Sequence, residues 1–199
     1  MVPPFTLDRE HTALLIMDYQ NEVVARFGAA NPGLLERAAS VLGAARSVGL
    51  PIIYVVVRFR AGYPEISPRN PSFARIREAG TLREGTPGAE IHPQVAPRPE
   101  DVIVVKRRVG AFSTTDLETV LRAQGLTTLI LLGIATSGVV LSTVRWAADM
   151  DYNLIVVEDC CADSDEEVHR VLTQKVFPRQ ALVVTSDVLQ EVFRQAMSG

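Results

Sequence analysis

The chain has 199 residues, 47% of them hydrophobic and 22% charged, enough apolar material for one sizeable core and a length that favours one domain over residues 1–199. A net charge of −3, with no long block of like charge, gives no basic footprint for nucleic acid and no disordered interaction tail. The opening Met1-Val-Pro-Pro-Phe-Thr lacks the basic and apolar regions of a secretion signal, and the adjacent Cys160 and Cys161 fit a reducing cytoplasm better than a disulfide.

In chain order, β-branched and leucine-rich runs predict strands at Thr12–Met17, Ile52–Val57, Val102–Val105, Leu129–Leu132, Leu154–Val157 and Ala181–Val184. Most are continuously apolar rather than alternating, the pattern of a parallel sheet covered on both faces. Between the first two, Asn31-Pro32 reads as an N-cap and first turn, Leu34, Ala38, Val41, Leu42, Ala45 and Val48 as one buried face, and Gly49 as the stop. After the second strand the rhythm breaks. Residues 58–85 hold glycines, prolines and a helical piece at Ser72–Ala79, as expected of a lid, a binding loop or an interface arm.

Thr115-Asp116-Leu117-Glu118 reads as a capping box, and the uncharged stretch Ala123–Val144 is long enough to span a bilayer. Its glycines, serines and threonines instead predict a buried strand, a loop and a packed helix, and no membrane segment is expected. Ser164 to Glu167 reads as another capping box, leading Val168, Val171, Leu172 and Val176 inward, and a last helix begins near Ser186. Strand–helix alternation implies right-handed crossovers and a three-layer α/β/α sandwich around a mostly parallel sheet of about six strands.

Open parallel sheets place ligands outside the carboxyl ends of their strands. Here the first strand ends in Asp18, the third in Lys106, and the fourth runs into Gly133-Ile-Ala-Thr-Ser-Gly138 and a helix. An acid, an amine and a turn rich in backbone N–H groups would thus meet at one edge, able to move a proton, hold a charge and stabilise an oxyanion. Each also has a plainer reading. Asp18 would cap the next helix, Lys106 would open a solvated Lys-Arg-Arg run, and the glycine turn would be only a turn.

The motifs resemble the isochorismatase-like (cysteine hydrolase) family over nearly the whole chain. Leu15-Ile-Met-Asp18-Tyr-Gln20-Asn21 is similar to its first motif, whose aspartate is the acid/base. Lys106, followed by Gly110-Ala-Phe112-Ser-Thr-Thr-Asp116, is similar to the second, whose lysine is catalytic. Gly133-Ile-Ala-Thr-Ser-Gly-Val139-Val resembles the third, and Val156-Val-Glu-Asp-Cys-Cys161-Ala-Asp resembles the stretch after the fifth strand. The resemblance implies a Rossmann-like fold, a cis peptide at Ile134–Ala135, and a homodimer or larger oligomer. Contacts in that assembly would come from residues 58–85 and the Trp146 helix.

Val139 occupies the position of the family's nucleophilic cysteine. Valine has no nucleophile, so a thioester route does not carry over. Cys160 and Cys161 follow a different strand and read as small buried hydrophobes, and Ser137 is a displaced stand-in with no histidine evident beside it. True isochorismatases also lack the cysteine, because cleaving a vinyl ether needs protonation and water. The implied enzyme is a cofactor-independent hydrolase of a small, carboxylate-bearing substrate, with Asp18 as proton donor, Lys106 holding it, and Ala135, Thr136, Ser137 and Gly138 forming the backbone loop.

Gln20, Arg58 and Phe112 are candidate substrate contacts. Arg58, Arg60, Arg69, Arg75, Arg77 and Arg83, interspersed with Glu65 and Glu78, suit carboxylate binding, while Phe59, Tyr63 and Phe73 suit a ring. At least four of those arginines are read as surface or interface residues. No metal is implied, since no clustered Asp/His ligands follow the second strand, and His92 is expected on the surface. The rival function is a ligand-binding or regulatory relative that kept the fold and lost the chemistry. A third possibility is an amidase using Cys160 or Cys161.

Overall fold

Every apolar run forms a strand: β1 Thr12–Met17, β2 Ile52–Val57, β3 Val102–Lys106, β4 Thr128–Ile134, β5 Asn153–Ala162 and β6 Leu182–Val184. This computed structural model describes residues 5–28 and 31–198. Residues 1–4, which open the stretch read as lacking a secretion signal, lie outside it. All strand pairs are parallel, in the order β3-β2-β1-β4-β5-β6.

Alternation along β1 and β2 divides the core between the two faces of the sheet. Leu14, Ile16, Ile52 and Tyr54 pack with Leu34, Ala38 and Val41 of α2 (Leu34–Ser47) and with Leu189 and Phe193 of α7 (Ser186–Ser198). Ala13, Leu15, Met17, Ile53 and Val55 pack with Leu117 and Leu121 of α4 (Leu117–Ala123) and with Val144 and Ala147 of α5 (Leu141–Asp149). The result is helices on both sides of a six-stranded sheet. The remaining helices are α1 (Asn21–Phe27), α3 (Pro71–Ala79) and α6 (Glu166–Val171). The uncharged stretch from Ala123 resolves into β4, a π turn at Thr136–Val140 and the start of α5, and no helix among the described residues is long and apolar enough to cross a membrane.

Several local expectations need correction. Asn31 does not cap α2. Its amide donates to the carbonyls of Asp159 at 3.2 Å and Cys161 at 2.9 Å, and the helix starts after Gly33, whose φ of 77° glycine adopts without steric cost. Thr115 forms no capping box; its hydroxyl donates to Ala111 O at 2.6 Å and accepts from Leu117 N at 3.4 Å. The cap of α6 is Asp165, accepting from the N–H groups of Glu167 and Val168, rather than Ser164. Of the stripe expected inward there, only Leu172 is fully buried and Val168 faces solvent. His92 is half-buried, its Nδ1 accepting from Gln94 N at 3.3 Å.

Residues 58–85 extend the core on the α2 face of the sheet, through Phe59, Tyr63, Ile66, Phe73 and Leu82. Phe59, Tyr63 and Phe73 are buried against one another, so these aromatics pack with each other rather than standing free for a ring substrate. Arg60, Arg69, Arg75, Arg77 and Arg83 are exposed. Glu65 ties the segment to the end of β3 through Arg107 at 3.3 Å, and Glu84, a further acid of the segment, also pairs with Arg107.

Candidate active site

The chain reverses its winding between β1 and β4, so the crevice beyond their carboxyl ends is the switch point at which doubly wound sheets take ligands. Met17 registers with Gly133, which sets Asp18 and the residues after Gly133 at the same level. Asp18 leaves the strand with a φ of 59°, and its N–H donates to Val55 O at 2.8 Å. Across β2, β3 ends at Lys106, whose Nζ lies 2.8 Å from Asp18 Oδ2 and donates to Arg108 O at 3.1 Å. Asp18 is 6% exposed and Lys106 2%, so this ion pair is built into the interior.

The pair is incompletely satisfied. Asp18 Oδ1 is buried with no partner. Burial raises the Asp18 pKa; Lys106, by charge and hydrogen bond, and then the Val57 backbone N–H pull it down less strongly, and the net direction is upward. A carboxyl so placed holds its proton further toward neutral pH than an exposed aspartate does.

The third motif follows β4, the strand next to β1. The Ile134–Ala135 peptide is cis, as the resemblance implied. Val139 is buried in the cluster that includes Met17, and a Cβ on Gly133 would fall 2.8 Å from Val140 Cγ2, 3.2 Å from Met17 Cε and 3.3 Å from Val139 Cγ1, so glycine is what lets the turn's valines and Met17 pack against β4 there. Three N–H groups of the turn already have partners: Ser137 N donates to Asp163 Oδ2 at 2.7 Å, and Gly138 N and Val140 N donate to Ala135 O at 3.0 and 3.4 Å.

The other candidates are placed differently. Gln20 is fully buried, with its amide donating to Val57 O at 2.8 Å and Ala89 O at 2.7 Å while accepting from Val57 N at 2.8 Å. That role pins β2 and the segment around Ala89 behind the site. Arg58 donates to Ala89 O at 3.1 Å and pairs with Glu90 at 2.8 Å. Phe112 packs in the core, stacked on the half-exposed Trp146 at 6.4 Å. Cys160 and Cys161 lie within β5, both buried and free; burial pushes the Cys160 thiol well up and the Cys161 thiol up to about 12.

Sequence reasoning missed Asp163 and His169. Asp163 is the first residue after β5, but the strand was expected to end at Val157, so the strand-end rule that found Asp18 and Lys106 pointed five residues too early. His169 sits on α6, and its Nδ1 is 2.8 Å from Thr136 Oγ1, a contact with no signature in sequence. Asp18, Lys106 and the 135–139 turn thus lie at one edge of the sheet, while Gln20, Arg58 and Phe112 are engaged in contacts of their own.

A parallel sheet in this order with an acid–amine pair at its switch point defines an α/β protein of the isochorismatase-like fold. The chain matches the Isochorismatase domain model over residues 12–188 and belongs to that family. It is 31% identical over 183 residues to the isochorismatase family protein YecD of Escherichia coli O157:H7, covering 89% of this chain and 93% of that one. It is 29% identical over 177 residues to the ureidoacrylate amidohydrolase RutB of Rhizobium rhizogenes, covering 78% and 72%. A cysteine hydrolase from Pseudomonas syringae pv. phaseolicola shares the fold with a TM-score of 0.87 at 23% identity, over 97% of each chain.

Proposed function

We propose that the chain is a hydrolase of a small, carboxylate-bearing substrate, cleaving a vinyl ether or amide bond with Asp18 and Lys106 and without a covalent cysteine intermediate. The observation that carries this reading is the buried pair: a carboxyl 2.8 Å from an ammonium, with one oxygen unpartnered and its pKa raised by burial. Protonated Asp18 hands its proton to the substrate and Lys106 holds the carboxylate left behind. Water adds to the activated carbon and returns a proton to Asp18, and the adduct collapses with the C–O or C–N bond breaking and the remaining hydroxyl proton passing to the leaving group. Val139 supports the absence of an acyl-enzyme, because an aliphatic side chain cannot attack.

The state of the turn weighs toward protonation chemistry. With Ser137 N–H accepted by Asp163 and Gly138 N–H by Ala135, neither is aimed at an oxyanion in this conformation. Those same commitments, together with Val139, favour the second reading, a ligand-binding relative without turnover. The test is a hydrolysis screen of the purified protein against isochorismate, ureidoacrylate and simple esters, with Asp18→Asn in parallel. Turnover by the native protein alone supports the proposal. Silence across the panel from a folded protein favours the second reading.

A further inference from the structure

The turn carrying Val139 is held by groups that the proposed reaction does not use. Thr136, 0% exposed, meets His169 Nδ1 through Oγ1 at 2.8 Å, and the next residue's N–H is accepted by the buried Asp163 at 2.7 Å. The backbone of His169 is anchored in α6: its main-chain N–H donates to Asp165 O at 3.0 Å and its carbonyl accepts from Thr173 Oγ1 at 3.0 Å. A shift of α6 is therefore transmitted to residues 136 and 137.

We propose that His169 is a positioning residue for the turn Ala135–Val140, its neutral imidazole accepting the Thr136 hydroxyl proton and so, with Asp163, fixing the backbone that faces Asp18. For its effect on turnover the proposal rests on the Asp18–Lys106 reading. The assignment places the imidazole proton on Nε2. Protonation would turn Nδ1 into a donor, reverse the Thr136 hydroxyl and leave that buried proton in need of another acceptor. Burial holds His169 below the ordinary imidazole value, while Glu158 on β5, Asp163 after it and Glu166 on α6 pull the other way. The two groups then act in opposite directions along the pH axis. A proton-donating Asp18 loses activity as pH rises, whereas His169 loses its hold on the turn as pH falls.

The test follows the Ser137 N–H by NMR hydrogen exchange through the imidazole titration in the native protein, His169→Gln and Asp18→Asn, with no substrate present. Glutamine keeps an acceptor and cannot titrate. Protection of Ser137 is expected to fall with histidine protonation in the native protein and in Asp18→Asn, and to stay constant in His169→Gln. On whichever of isochorismate or ureidoacrylate is turned over, His169→Gln should lose the acid limb and keep the alkaline one. His169→Phe should lower kcat by roughly tenfold to a hundredfold with KM little changed. The same protection profile in the native protein and His169→Gln, or an unchanged kcat in His169→Phe, would overturn the proposal. An active Asp18→Asn would remove the hydrolase reading and leave the exchange result standing.

Discussion

Asp18 is held between two opposed effects, and burial wins: its proton affinity rises despite an ammonium at 2.8 Å. A carboxyl whose folded pKa exceeds its unfolded one contributes stability in full below the unfolded value, and that contribution is lost as pH rises through the folded value. Lys106→Met removes the group that pulls Asp18 down most, so the pKa should climb further and the loss extend to higher pH. At neutral pH the variant should be about 3–5 kcal/mol less stable than the native protein, as when one partner of a buried pair is deleted. The gap should narrow in acid, where the carboxyl is neutral. Urea denaturation at several pH values measures it, and a pH-independent difference would contradict the assignment.

At the scale of elements, legibility followed burial. β1 and β2 start and stop where the apolar runs do, because both faces are covered and the next residues, Asp18 and Arg58, are charged. β5 runs past its predicted end at Val157 to Ala162, through a register shift opposite Leu131 and Gly133. Glu158 and Asp159 interrupt the hydrophobic pattern there, yet the Asp159 carboxylate accepts from Ser186 N and Ser186 Oγ, both at 2.7 Å, and so anchors the start of α7. Capping was the least legible feature, since Asn31, Thr115 and Ser164 each have a neighbour or a distant carbonyl that competes for the role. That yields a direct check. Asp165→Ala should cost about 1 kcal/mol and loosen α6, while Ser164→Ala should be nearly neutral. Equal effects on thermal unfolding would restore the original capping box.

For the whole molecule, the sheet order explains why residues far apart in sequence reach one crevice: β1 and β4 are neighbours whose connections leave in opposite directions. Asp18, Lys106 and the turn after β4 were legible because they end strands; His169 was not, because only tertiary packing brings α6 to Thr136. The same packing isolates the thiols. Cys160 and Cys161 are buried with raised pKa values, so both stay protonated and shielded in the folded state. A thiol reagent should therefore label neither until the protein is unfolded, and iodoacetamide should leave any hydrolysis untouched. Loss of activity on alkylation would instead bring a cysteine into the mechanism.

The claim that proton transfer from Asp18 drives hydrolysis is tested most directly by comparing turnover of isochorismate and ureidoacrylate by the native protein and by Asp18→Asn. Asparagine keeps an acceptor for Lys106 and removes the transferable proton, so circular dichroism should be unchanged. The native protein should turn substrate over, and the variant should show nothing above background. A folded Asp18→Asn that turns substrate over at the native rate would contradict it.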